Sequence, residues 1–193
     1  MIQVATKTLI AVLLFSCAAA CHRSPCDIPE SLLTSGEKLE RSFTSTEGGF
    51  RVQLSPTRPA SLDSRNGNQQ QGQPVQFKWL ILNQARYEIS YWDFANNVET
   101  SGNTQAFFDR LRDSASAKAT AQLEVDKDLS LSGHPGRELR FRDDTALSIQ
   151  RYYVVGNRLY AVAAVVPHKL DCALERVVQT LDSFELIGEK SRA

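Results

Sequence analysis

The chain reads as an α+β protein built on a single, largely antiparallel sheet flanked by two helices. Three observations lead there. Runs of alternating apolar and polar residues recur from about residue 42 onward, which is the period-two pattern of half-buried strands. The runs are joined by short turns rich in Gly, Asn and Asp, too short for parallel crossovers. Helical spacing is confined to two segments, 104–119 midway and 172–184 near the end.

The first strands lie in LERSFTS and FRVQL, with Thr46-Glu47-Gly48-Gly49 as the turn between them. Phe50, Val52 and Leu54 alternate with Arg51 and Gln53 and so predict one buried face. Residues 55–75 carry three prolines, two glycines and a Gln run, and read as a long mobile surface loop. QFKWLILNQ and ARYEISYWDF follow as adjacent antiparallel strands. In the second, Tyr87, Ile89 and Tyr91 share one face and Glu88, Ser90 and Trp92 the other. The first is apolar on both faces, as a central strand would be.

Asn103 or Ser101 is placed to cap the helix TQAFFDRLRDSASAKA, whose Phe107, Phe108, Leu111 and Ala115 form an apolar stripe. AQLEVDKDLSL then leads through a turn at Ser132-Gly133-His134-Pro135-Gly136 into RELRFR. Asp143-Asp144 turns the chain again, and ALSIQRYYVV pairs with RLYAVAAVV through Gly156-Asn157. Pro167 ends that strand. Asp171 is placed to cap CALERVVQTLDSF, in which Leu174, Val177, Val178 and Leu181 make the helix face.

Upstream of this domain the pattern changes. Residues 1–21 hold one charged side chain, Lys7, then an apolar run from Leu9 to Phe15 and small residues to Ala20. The run is shorter than the roughly 20 apolar residues of a spanning helix and closes as an export signal does. We expect residues 1–20 to be a signal peptide, 21–37 a Pro-containing tether, 38–187 the domain and 188–193 a tail. Two cysteines compete as lipid acceptor. Cys17 follows Leu14-Phe15-Ser16, with Leu in place but a bulky Phe. Cys21 follows Ala18-Ala19-Ala20, with small residues but no Leu; the same alanines also suit ordinary cleavage and a soluble exported form.

Counting favours Cys21. With the signal removed, Cys26 and Cys172 remain as an even pair in an oxidising compartment, whereas lipid on Cys17 would leave an odd thiol. A Cys26–Cys172 disulfide is therefore expected, with two unpaired thiols as the alternative.

Loss of residues 1–20 removes Lys7 and no acid, so 22 basic against 22 acidic residues becomes 21 against 22, a net charge of −1. That balance excludes the basic footprint of a nucleic-acid binder and a polybasic membrane attachment. The three histidines, His22, His134 and His168, form no His-x-x-x-His pair, and there is no Cys-x-x-Cys. No metal site or cofactor is expected. There is no Gly-x-Ser-x-Gly elbow and no glycine-rich phosphate loop. Asp126/Asp128 and Asp143/Asp144 flank turns without the spacing of a calcium loop. Cys172 near His168 at a helix start is the one nucleophile arrangement to weigh, against a disulfide or buried thiol. The most suggestive patch is Arg140, Arg142, Arg151 and Arg158 with Tyr153, a composition found in protein-binding surfaces. Its alternative is an ordinary face whose arginines pair with Glu138 and Asp143.

The pieces LSGHPGRE (131–138), VGNRLY (155–160) and LDSF (181–184), within a likeness spanning roughly 42–187, resemble bacterial envelope lipoproteins of the uncharacterised PsbP/DcrB-like group. The resemblance implies a PsbP-like α/β/α sandwich, export, frequent lipidation and no known active site. It carries over no functional residues.

The expected function is a non-catalytic binding or accessory module in the bacterial cell envelope. The membrane would be met through N-terminal acyl chains, and an envelope protein would be the partner. Two alternatives stand beside it. One is a small-ligand carrier with a pocket between sheet and helices lined by Phe107, Tyr87 and Tyr153. The other is an exported hydrolase with a non-standard site.

Overall fold

A computed structural model describes residues 41–54, 62–63, 75–81, 85–95, 103–118 and 120–188. Ten strands and two α-helices follow in the order β1 (Arg41–Ser45), β2 (Phe50–Leu54), β3 (Leu62–Asp63), β4 (Val75–Ile81), β5 (Ala85–Asp93), α1 (Thr104–Lys118), β6 (Gln122–Leu131), β7 (His134–Arg142), β8 (Ala146–Val155), β9 (Arg158–Pro167), α2 (Leu174–Asp182) and β10 (Glu185–Leu186). A 3-10 segment, His168–Ala173, joins β9 to α2.

The α+β class, the antiparallel pairing and the two helices are as expected. The strands, however, divide between two sheets. Seven form a large sheet in the order β3-β4-β5-β9-β8-β7-β6, and three form a small one in the order β1-β2-β10. Every pairing is antiparallel.

The period-two rule decides what each face of the large sheet meets. On one face lie Tyr87, Ile89 and Tyr91 of β5, Leu147, Ile149 and Tyr153 of β8, and Tyr160, Val162 and Ala164 of β9. They pack against Phe50, Val52 and Leu54 of the small sheet and Val177 and Leu181 of α2, making the main core. Phe50 sits at its centre, 5.3 Å from Phe184 and 5.5 Å from Phe77 between ring centroids. The opposite face carries a smaller core of Phe108, Val154 and Leu159, covered by α1. One helix therefore lies on each side of the large sheet.

Several local expectations shift. The turn between β6 and β7 needs only Ser132-Gly133, because both residues take positive φ (53° and 87°) and close a two-residue hairpin. His134, Pro135 and Gly136 are thereby drawn into β7. Gly136 is required there by close packing: a Cβ would lie 2.5 Å from Tyr153 Cδ1 and 2.8 Å from the Tyr152 carbonyl oxygen. Within the stretch read as loop, Leu62 and Asp63 pair with Trp79 and Lys78. The C-terminal helix starts at Leu174, not at Cys172, which belongs to the preceding 3-10 segment. The signal, the tether, Cys17, Cys21 and Cys26 lie outside the described residues, as does the side chain of Cys172, so the expected lipidation and disulfide do too. No helix among the described residues is long and apolar enough to cross a membrane.

Candidate functional site

The side of the large sheet under α1 holds an open groove of about 630 Å³. Its helix wall follows from helical spacing: Phe107, Leu111, Ser114 and Ala115 fall on one side of α1. Its floor is Gln150 and Tyr152 of β8, Leu159 of β9 and Trp92 of β5. Trp92 stands opposite Leu159 in the strand register. Phe94 closes one end and is held there by two hydrogen bonds. Its N–H donates to the Asn157 carbonyl (2.7 Å), and its carbonyl accepts from Asn157 Nδ2 (3.0 Å). Phe94 and Phe107 meet edge to face at 5.8 Å.

Leu159 is buried, but Trp92, Phe94, Phe107, Leu111 and Tyr152 remain half-buried. So many large apolar side chains left partly open together is the pattern of a binding surface. None of the nine lining residues is acidic or basic. Their polar groups are few. Tyr152 donates its hydroxyl proton to Gln150 Oε1 (2.7 Å), and Gln150 Nε2 donates to Ser148 Oγ (3.3 Å). Burial pushes the Tyr152 hydroxyl up to about 12, so it stays neutral throughout the physiological range.

An ionic lattice fastens the outer side of α1 to the sheet. Arg137 of β7 holds Asp126 of β6 through two guanidinium nitrogens (NH2 at 2.9 Å) and reaches Asp109 of α1 at 3.3 Å. Arg112 of α1 bridges Asp109 (3.2 Å) and Asp126 (3.4 Å). These bonds link α1 to β6 and β7 at the sheet edge.

The opposite face carries a different polar feature. Glu138 is fully buried, with its carboxylate bound by Arg151 Nε (2.7 Å), Arg140 Nε (2.8 Å) and Lys127 Nζ (3.1 Å). Arg151 continues to Asp182 at the end of α2 (2.6 Å). Burial pushes the Glu138 carboxyl up, but the hydrogen bonds from Arg151, Lys127 and Arg140 outweigh it and hold the group below its usual range.

The sequence-derived candidates are distributed over this frame. Arg140, Arg142, Arg151, Arg158 and Tyr153 do share the α2 side of the sheet by register. They do not form one open patch. Arg151 and Tyr153 are buried, the first on Glu138 and the second stacked on Phe184 at 6.0 Å. Arg158 clamps Asp93, donates to the Glu47 and Gly48 carbonyls and lies 4.4 Å from the Tyr91 ring centre. Arg142 pairs with Glu124 (2.8 Å) and donates to His168 Nδ1 (3.3 Å), while His168 Nε2 donates to the Asp143 carbonyl (2.6 Å). Asp143 closes its own turn by accepting from the Thr145 and Ala146 N–H groups.

Of the expected pocket residues only Phe107 lines the groove. Tyr87 and Tyr153 point into the main core, because an odd–even step along a strand exchanges faces. Tyr152, the neighbour of Tyr153, takes the groove position. Trp92 was also missed. Its signal was present: an indole ending the otherwise polar face of Glu88 and Ser90. Among the described residues no three His, Cys, Asp or Glu side chains converge as a metal would need.

No family model matches the chain, and no curated protein matches it. Solved structures do. The solution structure of the cyanobacterial PsbP of Synechocystis sp. PCC 6803 aligns at a TM-score of 0.53 with 13% identity, over 78% of this chain and 95% of that one. A Pseudomonas aeruginosa protein of unknown function aligns at 0.47 with 13% identity, over 78% and 97%. A Bacteroides thetaiotaomicron protein aligns at 0.46 with 12% identity, over 77% and 48%. Strand order, two flanking helices and the likeness to the cyanobacterial protein agree: the domain has a PsbP-like α+β fold.

Proposed function

We propose that this protein is an exported, non-catalytic binding module, held at the membrane by lipid on Cys21, that receives its ligand in the groove between α1 and the large sheet. The groove is the observation that carries the binding half. It is apolar and uncharged, and its Tyr152 hydroxyl is bonded to Gln150 in place of forming a nucleophile–base pair. The N-terminal pattern carries the anchoring half: one Lys, a short apolar run and Ala18-Ala19-Ala20 before Cys21. Acyl chains supply the membrane affinity that a net charge of −1 does not, and several chains anchor where one holds only marginally.

The anchoring half is tested by intact mass and membrane partitioning of the full chain made in a bacterial host. Wild type is expected in the membrane fraction with a diacyl or triacyl mass on Cys21, and Cys21→Ser without it. Lipid retained in Cys21→Ser but lost in Cys17→Ser would move the anchor to Cys17. An unmodified, soluble wild-type chain would remove the anchor altogether.

A further inference from the structure

The groove's chemistry narrows what it accepts. Resting on the binding reading above, we infer that its ligand is a neutral aromatic compound carrying one hydrogen-bonding group.

Charge is the first argument. The lining holds no Lys, Arg, Asp, Glu or His, and Tyr152 stays protonated. A charged group seated against this lining would lose water and gain no counter-ion. Shape is the second. Trp92, Phe94, Phe107 and Tyr152 contribute four rings around one opening, and aromatic rings favour stacked or edge-on partners over flexible chains. The volume of about 630 Å³ lies within the range of roughly 300–1,000 Å³ that holds compact organic ligands. The third argument is the hydrogen-bond balance. Tyr152 has given its proton to Gln150, so its oxygen keeps acceptor capacity. Trp92 lines the same groove, and its indole N–H is a hydrogen-bond donor. A ligand with one N–H, O–H or carbonyl can therefore be fixed in orientation without bringing charge.

The test is a fluorescence titration of the full chain with three probes. N-phenyl-1-naphthylamine is neutral, aromatic and carries one N–H. 1-Anilinonaphthalene-8-sulfonate has the same rings plus an anionic group. Decan-1-ol, measured by displacement, is neutral and aliphatic. Each is run against Ala115→Phe and Ser114→Tyr, which fill the groove from the half-buried and exposed rim of α1. Uptake by the N-terminal segment or acyl chains appears equally in all three proteins and cancels. Circular dichroism and thermal melting check that both variants fold.

Saturable one-to-one binding of the naphthylamine is expected, at least about tenfold weaker for the sulfonate and for decanol, and weakened at least about tenfold by either variant. Sulfonate binding of equal strength, sensitive to the variants, would overturn the neutral class. Decanol displacing variant-sensitive naphthylamine with equal or greater affinity would overturn the aromatic class and leave the groove as a binding site. If no probe distinguishes wild type from the two variants, both the ligand class and the binding role of the groove fall.

Discussion

Glu138 is the residue with most at stake. A carboxylate at 0% exposure is tolerable only because three cations reach it, and Arg151, itself buried, depends on it in turn. Glu138→Gln keeps the shape but leaves Arg151 facing a neutral amide. We expect it to cost about 3 kcal/mol at pH 7, measured by urea unfolding, because a broken buried pair strands the surviving charge.

The pH dependence has a definite sign. A carboxyl held below its ordinary value of 4.5 binds its proton more readily when unfolded. The stability it contributes is therefore complete above about pH 4.5 and is lost as pH falls through the lower folded value. Asp126, whose pKa is lowered chiefly by its hydrogen bond from Arg137, acts in the same sense below about pH 3.8. Wild type should lose stability as pH falls from about 4.5, and Glu138→Gln should show a shallower acid slope. An unchanged slope would mean that Glu138 is not the group titrating.

At this scale the sequence was legible in composition and not in partnership. The arginine patch was visible, but which arginine is buried depends on a carboxylate thirteen positions from Arg151 in the facing strand. Tyr152 and Tyr153 are adjacent and chemically alike. Only the pairing of β8 with its neighbours sends one into the core and the other into the groove.

Among the elements, the strands with clear alternation and a local turn partner were legible, from β1–β2 through β8–β9. The two-residue strands β3 and β10 were not, since two residues carry no period. The division into two sheets was hidden for the same reason: β10 joins β2 across more than 130 residues, and no local signal announces so distant a partner.

The edge strand β6 shows how the large sheet ends. It carries Glu124, Asp126, Lys127 and Asp128 and a register shift between Leu123 and Val125, features that discourage a further strand from adding.

Arg158 ties the small sheet to the large one. Its guanidinium donates to the carbonyls of Glu47 and Gly48 in the β1–β2 turn while held by Asp93, and the Tyr160 hydroxyl adds a bond to the Gly48 carbonyl (2.6 Å). In Arg158→Leu we expect amide exchange in β2 to rise about tenfold relative to β8, because the hairpin loses its tie while the large sheet keeps its ladders. An equal rise in both would show that the two sheets open as one unit.

For the whole molecule, the large sheet separates two tasks. The α2 side, with the small sheet, the aromatic core and the Glu138 cluster, is built for stability. The α1 side has a thinner core and an incompletely covered aromatic surface. On the proposed reading, a lipid on Cys21 would keep the domain near the membrane through residues 22–37, which hold two prolines. No exposed cationic surface is required for that arrangement, in keeping with the near-neutral charge of the chain.

The central claim is that binding happens in the α1 groove. It is tested most directly by mapping amide and indole chemical shifts of the labelled protein while N-phenyl-1-naphthylamine is titrated in. The account predicts shifts concentrated at the Trp92 indole N–H and the amides of Phe94, Leu111, Ala115 and Tyr152, with Glu138, Arg151 and α2 unmoved. Shifts centred on the Glu138–Arg151 face, or none that saturate, would contradict it.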